Sequence, residues 1–259
     1  MLPVVAFAPL SRVLALVVAV TLSCGQIAHA APVADPFPEK AGKLGAVSCP
    51  ETPIVQGGIP RPRQYLQAVM KCLDKSWKAY VARAGRDFTK PVAHYYDEPA
   101  ETMCGLPWPG HVEAAYCPGN ATIVFSLTGR WIDDRTDLYP MKVAAHEYAH
   151  HAQSLLGVRR AYDKAYKRAA DDRKRELQRR YELQADCLSG VFLGSAWRSL
   201  TRTPEDWAEL LVATRASGDE DGPRTHGTGA SRVAWLQRGY RAQSPAACDT
   251  WSAPASKVS

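Results

Sequence analysis

Apolar residues recur at helical spacing in two stretches of this chain. Between Gln64 and Ala84 the large apolar side chains fall on one stripe of a 3.6-residue helix. Residues 141–156 contain no glycine or proline, start directly after Pro140 and stop at Gly157. Proline favours the start of a helix and glycine its end, so this pattern predicts a second helix, about four turns long.

Two short segments predict β-strands. Residues 91–96 and 121–127 are rich in threonine, valine, isoleucine and aromatic side chains, and the turn residues 118–120 precede the second segment. In contrast, residues 31–63 are rich in proline and glycine and predict an extended, largely irregular segment. The remaining stretch, 64–259, is long enough to form one large domain or two lobes that share a cleft.

The first residues, 1–30, have the pattern of a secretory signal peptide. A lone positive charge precedes an apolar run at 13–22, and Ala-His-Ala at 28–30 offers a cleavage site between small residues. The run is shorter than the ~20 residues that span a bilayer, so no stable membrane insertion is expected after cleavage. A lipoprotein signal with Cys24 as the lipidated residue is less favoured, because Thr21 stands where such signals have leucine.

Residues 159–180 carry a concentrated positive charge. Ten basic and four acidic residues give this segment a net charge of +6, as large as that of the whole chain. One interpretation is contact with an anionic surface or polymer. We favour the other, a long solvated helix with pairs such as Glu176–Arg180 four residues apart. Few aromatic residues interleave these charges, so no nucleic-acid partner is expected.

Residues 146–150 contain an HExxH motif within the second predicted helix. His146 and His150 are four residues apart, so both imidazoles lie on one helix face and can bind a single Zn²⁺ ion. Glu147, beside the first histidine, is placed to act as a general base for an attacking water. The motif therefore predicts a hydrolytic zinc site.

A catalytic zinc needs a third protein ligand and one open position. No histidine occurs between His151 and His226, so a third histidine shortly after the motif is excluded. Glu182 and Asp186 are four residues apart on another probable helix. We predict that Glu182 binds the metal and that Asp186 accepts a hydrogen bond from one of the histidine ligands. The expected content is one zinc per chain.

Several blocks of the sequence keep the order and spacing of a known family. They are VAAHEYAHHAQ (143–153), RRYELQADCLSG (179–190), THGTGASRVAWLQRGY (225–240) and CDTW (248–251), with CLDKSW (72–77) and YCP (116–118) upstream. Over about 72–251 the chain resembles the bacterial "putative neutral zinc metallopeptidase" family. The resemblance implies an α+β zincin-like domain, mostly helical with a small sheet beside the active-site helix, and gluzincin-like use of Glu182.

The resemblance also suggests roles around the motif. Zincins place an edge strand beside the active-site helix, and residues 123–127 are our candidate, with an ordinary core strand equally acceptable. His226, in a glycine-rich loop, either donates to the oxyanion as a catalytic residue or makes a structural hydrogen bond. Arg232 is placed to clamp a substrate or a buried carboxylate.

Six cysteines remain outside the signal region, an even number typical of an exported protein with disulfides. Of the fifteen possible pairings, we prefer one that closes a local loop, one that ties the C-terminal tail to the ligand helix, and the remaining pair. These are Cys104–Cys117, Cys187–Cys248 and Cys49–Cys72.

Taken together, these patterns indicate a secreted or periplasmic zinc metallopeptidase acting on a peptide or protein substrate. Two alternatives remain. The same zinc site could hydrolyse a non-peptide amide of the cell envelope, or zinc could only stabilise a non-catalytic binding protein. Glu147 argues against the last, because a purely structural site needs no general base. Whether 31–63 inhibits the site or wraps the domain stays open.

Overall fold

The computed structural model describes residues 37–51, 62–109, 112–132 and 138–259. The predicted signal peptide and the lipoprotein alternative at Cys24 lie outside the described residues. Within the ranges described, no helix is both long and apolar enough to cross a membrane. The α-helices of the described chain are α1 (Pro62–Arg83), α2 (Tyr139–Leu155), α3 (Val158–Tyr166), α4 (Asp171–Ala196), α5 (Pro204–Ala216) and α6 (Gly229–Ala242).

The sheet is small and lies beside α2, as expected for a mostly helical α+β domain. Its central strand, β5 (Thr122–Ser126), is parallel to β1 (Val92–Tyr96) on one side and antiparallel to β4 (Ala114–Cys117) on the other. A separate two-stranded ribbon is formed by β2 and β3. The strands are β1 (Val92–Tyr96), β2 (Thr102–Met103), β3 (Leu106–Pro107), β4 (Ala114–Cys117) and β5 (Thr122–Ser126).

The interpretation of 123–127 as the edge strand is wrong, and the core-strand alternative is correct. All five residues of β5 are buried, and β5 has β1 on one side and β4 on the other. A continuous apolar run is what a strand covered on both faces requires. Instead, β4 (Ala114–Cys117) lies at the side of the sheet next to α2.

Both predicted helices are present with nearly the predicted bounds. The long apolar stripe of α1 is buried, and α2 has Pro140 in its first turn. Gly157 lies two residues after the end of α2 and has a φ of 87°, in the left-handed region where glycine lacks the steric penalty of other residues. This glycine lets the chain turn at once into α3.

The prediction of one long solvated helix over 159–180 is wrong, because the chain breaks at 167–170 into α3 and α4. No proline or glycine marks the break. Asp171 and Asp172 occupy the first turn of α4, where negative charge is favourable beside the unpaired amides of a helix N-terminus. The predicted pair between Glu176 and Arg180 is present, at 2.7 Å.

Helices α4 and α6 approach each other through glycines. A Cβ atom added to Gly239 would overlap the backbone carbonyl of Cys187, and one added to Gly190 would overlap that of Leu236. Only a residue without a side chain allows the two backbones to come this close. The close approach brings Arg232 of α6 against Asp186 of α4.

The described part of the N-terminal segment, 37–51, packs against the far end of α4. The Val47 amide donates to the Ser195 carbonyl at 3.3 Å. Ser195 is thirteen residues beyond Glu182 on the same helix, which corresponds to roughly 20 Å at 1.5 Å per residue. This part of the segment therefore wraps the domain at a distance from the predicted metal ligands.

The three preferred cysteine pairings are all present. They join the N-terminal segment to α1, the β2–β3 ribbon to β4, and the C-terminal turn to α4. They are Cys49–Cys72, Cys104–Cys117 and Cys187–Cys248.

We expect Gly239→Ala to destabilise the fold by about 2 kcal/mol or more, because overpacking at a close backbone contact forces the helices apart. Gly119→Ala is the matched control, since a Cβ at that position meets no atom within 4 Å. Urea unfolding of both variants measures the difference. Equal stability of the two would show that the helices adjust without cost.

Candidate active site

The three predicted zinc ligands meet between α2 and α4. His146 and His150, one turn apart on α2, both direct Nε2 at the carboxylate of Glu182. The Glu182 Oε2 atom lies 3.2 Å from Nε2 of His146 and 3.1 Å from Nε2 of His150. The three ligand atoms lie within 4.8 Å of one another. Two imidazole nitrogens and one carboxylate oxygen form a donor set that suits zinc.

The Nδ1 atom of His146 faces away from the three ligand atoms and carries a proton. Nδ1 of His146 lies 2.9 Å from Oδ1 of Asp186. An ionised carboxylate only accepts hydrogen bonds, so Nδ1 donates to Asp186 and Nε2 is the nitrogen that remains to bind a metal ion. Asp186 thus has the position predicted for it, on the next helical turn after Glu182.

Gln153 holds the second histidine in the same way. Its side-chain oxygen accepts from Nδ1 of His150 at 2.8 Å. Its amide nitrogen donates to the Tyr181 carbonyl at 2.9 Å and to the Gln184 side-chain oxygen at 3.0 Å. These two acceptors orient the Gln153 amide, so its oxygen accepts from Nδ1 of His150 and Nε2 is the nitrogen that faces Glu182.

The local field favours positive charge at the meeting point. Burial alone lowers the pKa of His150, but the negative charge of Glu182 outweighs it and raises this pKa to about 9. Burial likewise raises the pKa of Glu182, but the two imidazoles hold it well below its usual range. A site that stabilises a proton between these groups also fits a divalent cation.

Asp186 is the centre of a buried charge cluster. It is fully buried and lies 2.7 Å from Nζ of Lys142 and 2.8 Å from Nε of Arg232. Burial alone raises the pKa of Asp186, but these two cations hold it well below its usual range. Arg232 also donates to the Ser217 carbonyl at 2.6 Å. Of its two predicted partners, Arg232 therefore contacts the buried carboxylate.

Glu147 lies beside the metal ligands and contacts the sheet. Its Oε2 atom accepts a hydrogen bond from the backbone amide of Tyr116 on β4, at 2.7 Å. The amide fixes the carboxylate at the side of the ligand group that faces β4. The strand that lies beside the site is therefore β4, and not the predicted segment 123–127.

His226 lies at the mouth of the site and not inside it. Its side chain is 46% exposed, and Nε2 is 3.8 Å from Oε2 of Glu182. The loop is held by Asp219, whose carboxylate accepts from the amides of His226 and Gly227 at 2.8 and 3.0 Å. Burial lowers the pKa of His226, opposed by the charge of Glu182. The structure therefore brings His226 near the ligands.

Three residues of the site escaped the sequence analysis as functional residues: Lys142, Gln153 and Tyr181. Lys142 precedes His146 by one helical turn and Gln153 follows His150 by three residues, so spacing on α2 was the available signal. Tyr181 stacks its ring on His150, with centroids 4.8 Å apart and an interplanar angle of 14°. The position of Tyr181 directly before Glu182 in the sequence does not predict that stacking.

Two connected hollows open onto the ligands. One, of about 220 Å³, is lined by Ala115 and Tyr116 of β4 and by the three ligands, and its wall includes Arg159. The other, of about 420 Å³, shares Glu147 and His226 with the first and extends toward the buried cations of the Asp186 cluster. The ligand group is therefore accessible from a cleft that runs along β4.

Comparison with known sequences agrees with this geometry. A family model described as "Putative neutral zinc metallopeptidase" matches residues 60–251, most of the chain and all of the site. The chain belongs to this family.

The curated relatives that the chain matches include two that are named as uncharacterized proteins. The chain is 27% identical over 206 residues to the uncharacterized protein YpfJ of Escherichia coli K12, covering 73% of this chain and 71% of YpfJ. It is 30% identical over 208 residues to the uncharacterized protein Rv2575 of Mycobacterium tuberculosis H37Rv, covering 70% and 68%. No solved structure gives a significant match.

We expect Gln153→Leu to weaken zinc binding by roughly 10- to 100-fold, because His150 loses the acceptor that orients it. Gln178→Leu, a half-buried position on α4, is the control. Competition with a chromophoric chelator measures both affinities. If Gln153→Leu binds zinc as tightly as the parent, Gln153 has no part in positioning the ligand.

Proposed function

We propose that this chain is an exported zinc peptidase that hydrolyses peptide bonds with Glu147 as the general base. The observation that carries the proposal is the convergence of His146, His150 and Glu182, with Glu147 directly beside them on the cleft side. Structural zinc sites close the metal with four protein ligands, whereas hydrolytic ones leave a position open to the cleft.

When bound, zinc polarises the scissile carbonyl and lowers the pKa of an attacking water. The residues of the chain supply the remaining steps. Glu147 accepts the proton of the attacking water and delivers it to the leaving amine. The Tyr116 amide holds the Glu147 carboxylate in place for both transfers. His226, near the mouth, is positioned to donate to the developing oxyanion.

A peptide is favoured over a non-peptide amide by the backbone of β4. In an antiparallel pair, alternate residues turn their amide and carbonyl away from the partner strand. The Glu113 carbonyl accepts a hydrogen bond from the Ser126 amide of β5, whereas the Tyr116 amide faces outward and donates to Glu147. By this alternation Ala114 also turns outward, into the cleft that it lines. An extended peptide can add to such an edge by main-chain hydrogen bonds.

Export is supported by the three disulfides, which form and persist in oxidising compartments. Together with the signal-peptide pattern of 1–30, they favour a periplasmic or extracellular location.

Two substitutions separate metal binding from chemistry. Glu147→Gln should keep one zinc per chain and lower peptide hydrolysis by about 10²- to 10⁴-fold, the usual contribution of a general base. Glu182→Ala should lose both zinc and activity. Metal analysis and hydrolysis of a mixed peptide library measure the outcomes, with the exposed Glu209→Gln as control. Hydrolysis at the parental rate by Glu147→Gln would refute the role of Glu147.

His226→Ala should lower kcat by about 10²-fold or more if His226 donates to the oxyanion, with the zinc content unchanged. Loss of a donor used only in the transition state lowers kcat without a matching rise in KM. Initial rates over a range of concentrations of one peptide that the parent cleaves in the library give both constants. Loss of zinc in this variant would instead make His226 a fourth metal ligand and contradict the catalytic role.

A further inference from the structure

A groove beside the active-site cleft has five cationic residues among the nine that line it. It encloses about 720 Å³ between the β4–β5 turn (Pro118 and Gly119) and helix α3 with the residues that follow it. We call it the basic groove. Its charged lining residues are Arg159, Arg160, Lys164, Lys167 and Arg168, with Asp163 as the one acidic residue.

Most of this charge is not balanced within the protein. Arg159 pairs with Asp163 at 2.9 Å. The other four cations are exposed and have no ion-pair partner in the part of the chain that the structure describes. On the following helix, by contrast, cations pair with acids three or four residues away, as Lys174 does with Asp171. The basic groove therefore has positive charge available for a ligand.

The groove is continuous with the cleft. Arg159 lines both the groove and the hollow over the metal ligands. Its guanidinium lies 5.7 Å from the ring centroid of Tyr162 and 5.8 Å from that of Tyr181, the residue stacked on His150. Aromatic faces stabilise a cation at this distance. Arg159 is thus held at the junction of the two hollows.

Strand β4 leads from one hollow to the other. Ala115 and Tyr116 line the cleft, and Pro118 and Gly119 line the groove. An extended chain advances about 3.3 Å per residue, so a peptide lying along β4 reaches the groove about two to three residues from Tyr116. A bound substrate and the groove therefore meet.

We propose that the basic groove binds acidic side chains of the peptide substrate, about three residues from the scissile bond. The inference rests on the proposed peptidase function and specifies its substrate class as peptides with an acidic segment. Arg160 and Lys164 lie four residues apart on α3, and like charges at this spacing repel unless a ligand neutralises them. An aspartate- or glutamate-rich segment supplies that neutralisation.

An acidic peptide fits the groove better than a nucleic acid. Binding of single-stranded nucleic acid relies on exposed aromatic side chains that stack on bases. Tyr162, the aromatic residue beneath Arg159, is only 8% exposed and is therefore not available to stack on a base. A peptide can instead place its acidic residues on the cations and a neutral residue at Asp163.

Binding should be measured on zinc-loaded Glu147→Gln protein, which does not consume the probe. The probes are two fluorescein-labelled peptides of the same length, one with four consecutive glutamates and one with four glutamines. We expect the glutamate peptide to bind at least tenfold more tightly by fluorescence anisotropy, and Lys164→Gln/Lys167→Gln/Arg168→Gln to abolish this preference. The control removes three exposed lysines of α1 by Lys71→Gln/Lys75→Gln/Lys78→Gln and should retain the preference.

Equal binding of the two peptides, or equal loss in both triple variants, would overturn the inference. So would an oligonucleotide of matching charge that displaces the acidic peptide and binds more tightly. Cleavage of the two peptides by the parent protein is assayed in parallel. Cleavage without acidic preference leaves the proposed function intact and removes the groove's role, whereas groove-dependent binding without cleavage supports the groove and contradicts the peptidase proposal.

Discussion

The carboxylate of Asp186 joins the three helices that build the site. It accepts from His146 and Lys142 of α2 and from Arg232 of α6, while its own backbone belongs to α4. A buried charge is costly unless it is fully paired and hydrogen-bonded. Here three donors from two neighbouring helices meet that requirement. The carboxylate therefore holds α2 and α6 in defined positions against α4. The position of His146 follows from the same constraint.

The close packing of α4 on α6 and the chemistry of the cleft are therefore two aspects of one arrangement. The glycines that let the helices approach also bring the Arg232 guanidinium to Asp186. Asp186 in turn sets the proton of His146 on Nδ1 and leaves Nε2 for a metal. The packing of α4 on α6 thus supports the carboxylate that orients His146.

Sequence spacing predicted the site better than it predicted the sheet. His146, His150, Glu182 and Asp186 each lie four residues from a partner on a helix, and this local geometry survives in any fold that keeps the helix. Strand order depends on contacts distant in sequence, so the apolar run at 123–127 did not distinguish an edge from a centre. The break at 167–170 has no glycine or proline, and the groove that it helps to form was equally invisible. Gln153 was visible by position, but its amide gains meaning only from Tyr181 and Gln184 on another helix.

The contacts of Gln153 continue through the core to a disulfide. Gln153 donates to Gln184, and Gln184 donates to the backbone carbonyl of Cys248 at 3.0 Å. Cys248 is covalently joined to Cys187, the residue after Asp186. His146 is therefore linked through Asp186 to the helical segment that carries Cys187. His150 is linked through Gln153 and Gln184 to Cys248, and the disulfide fixes the separation of these two cysteines. Formation of this disulfide consequently restrains the two positions, on α4 and in the C-terminal turn, from which the histidines of the candidate metal site are held.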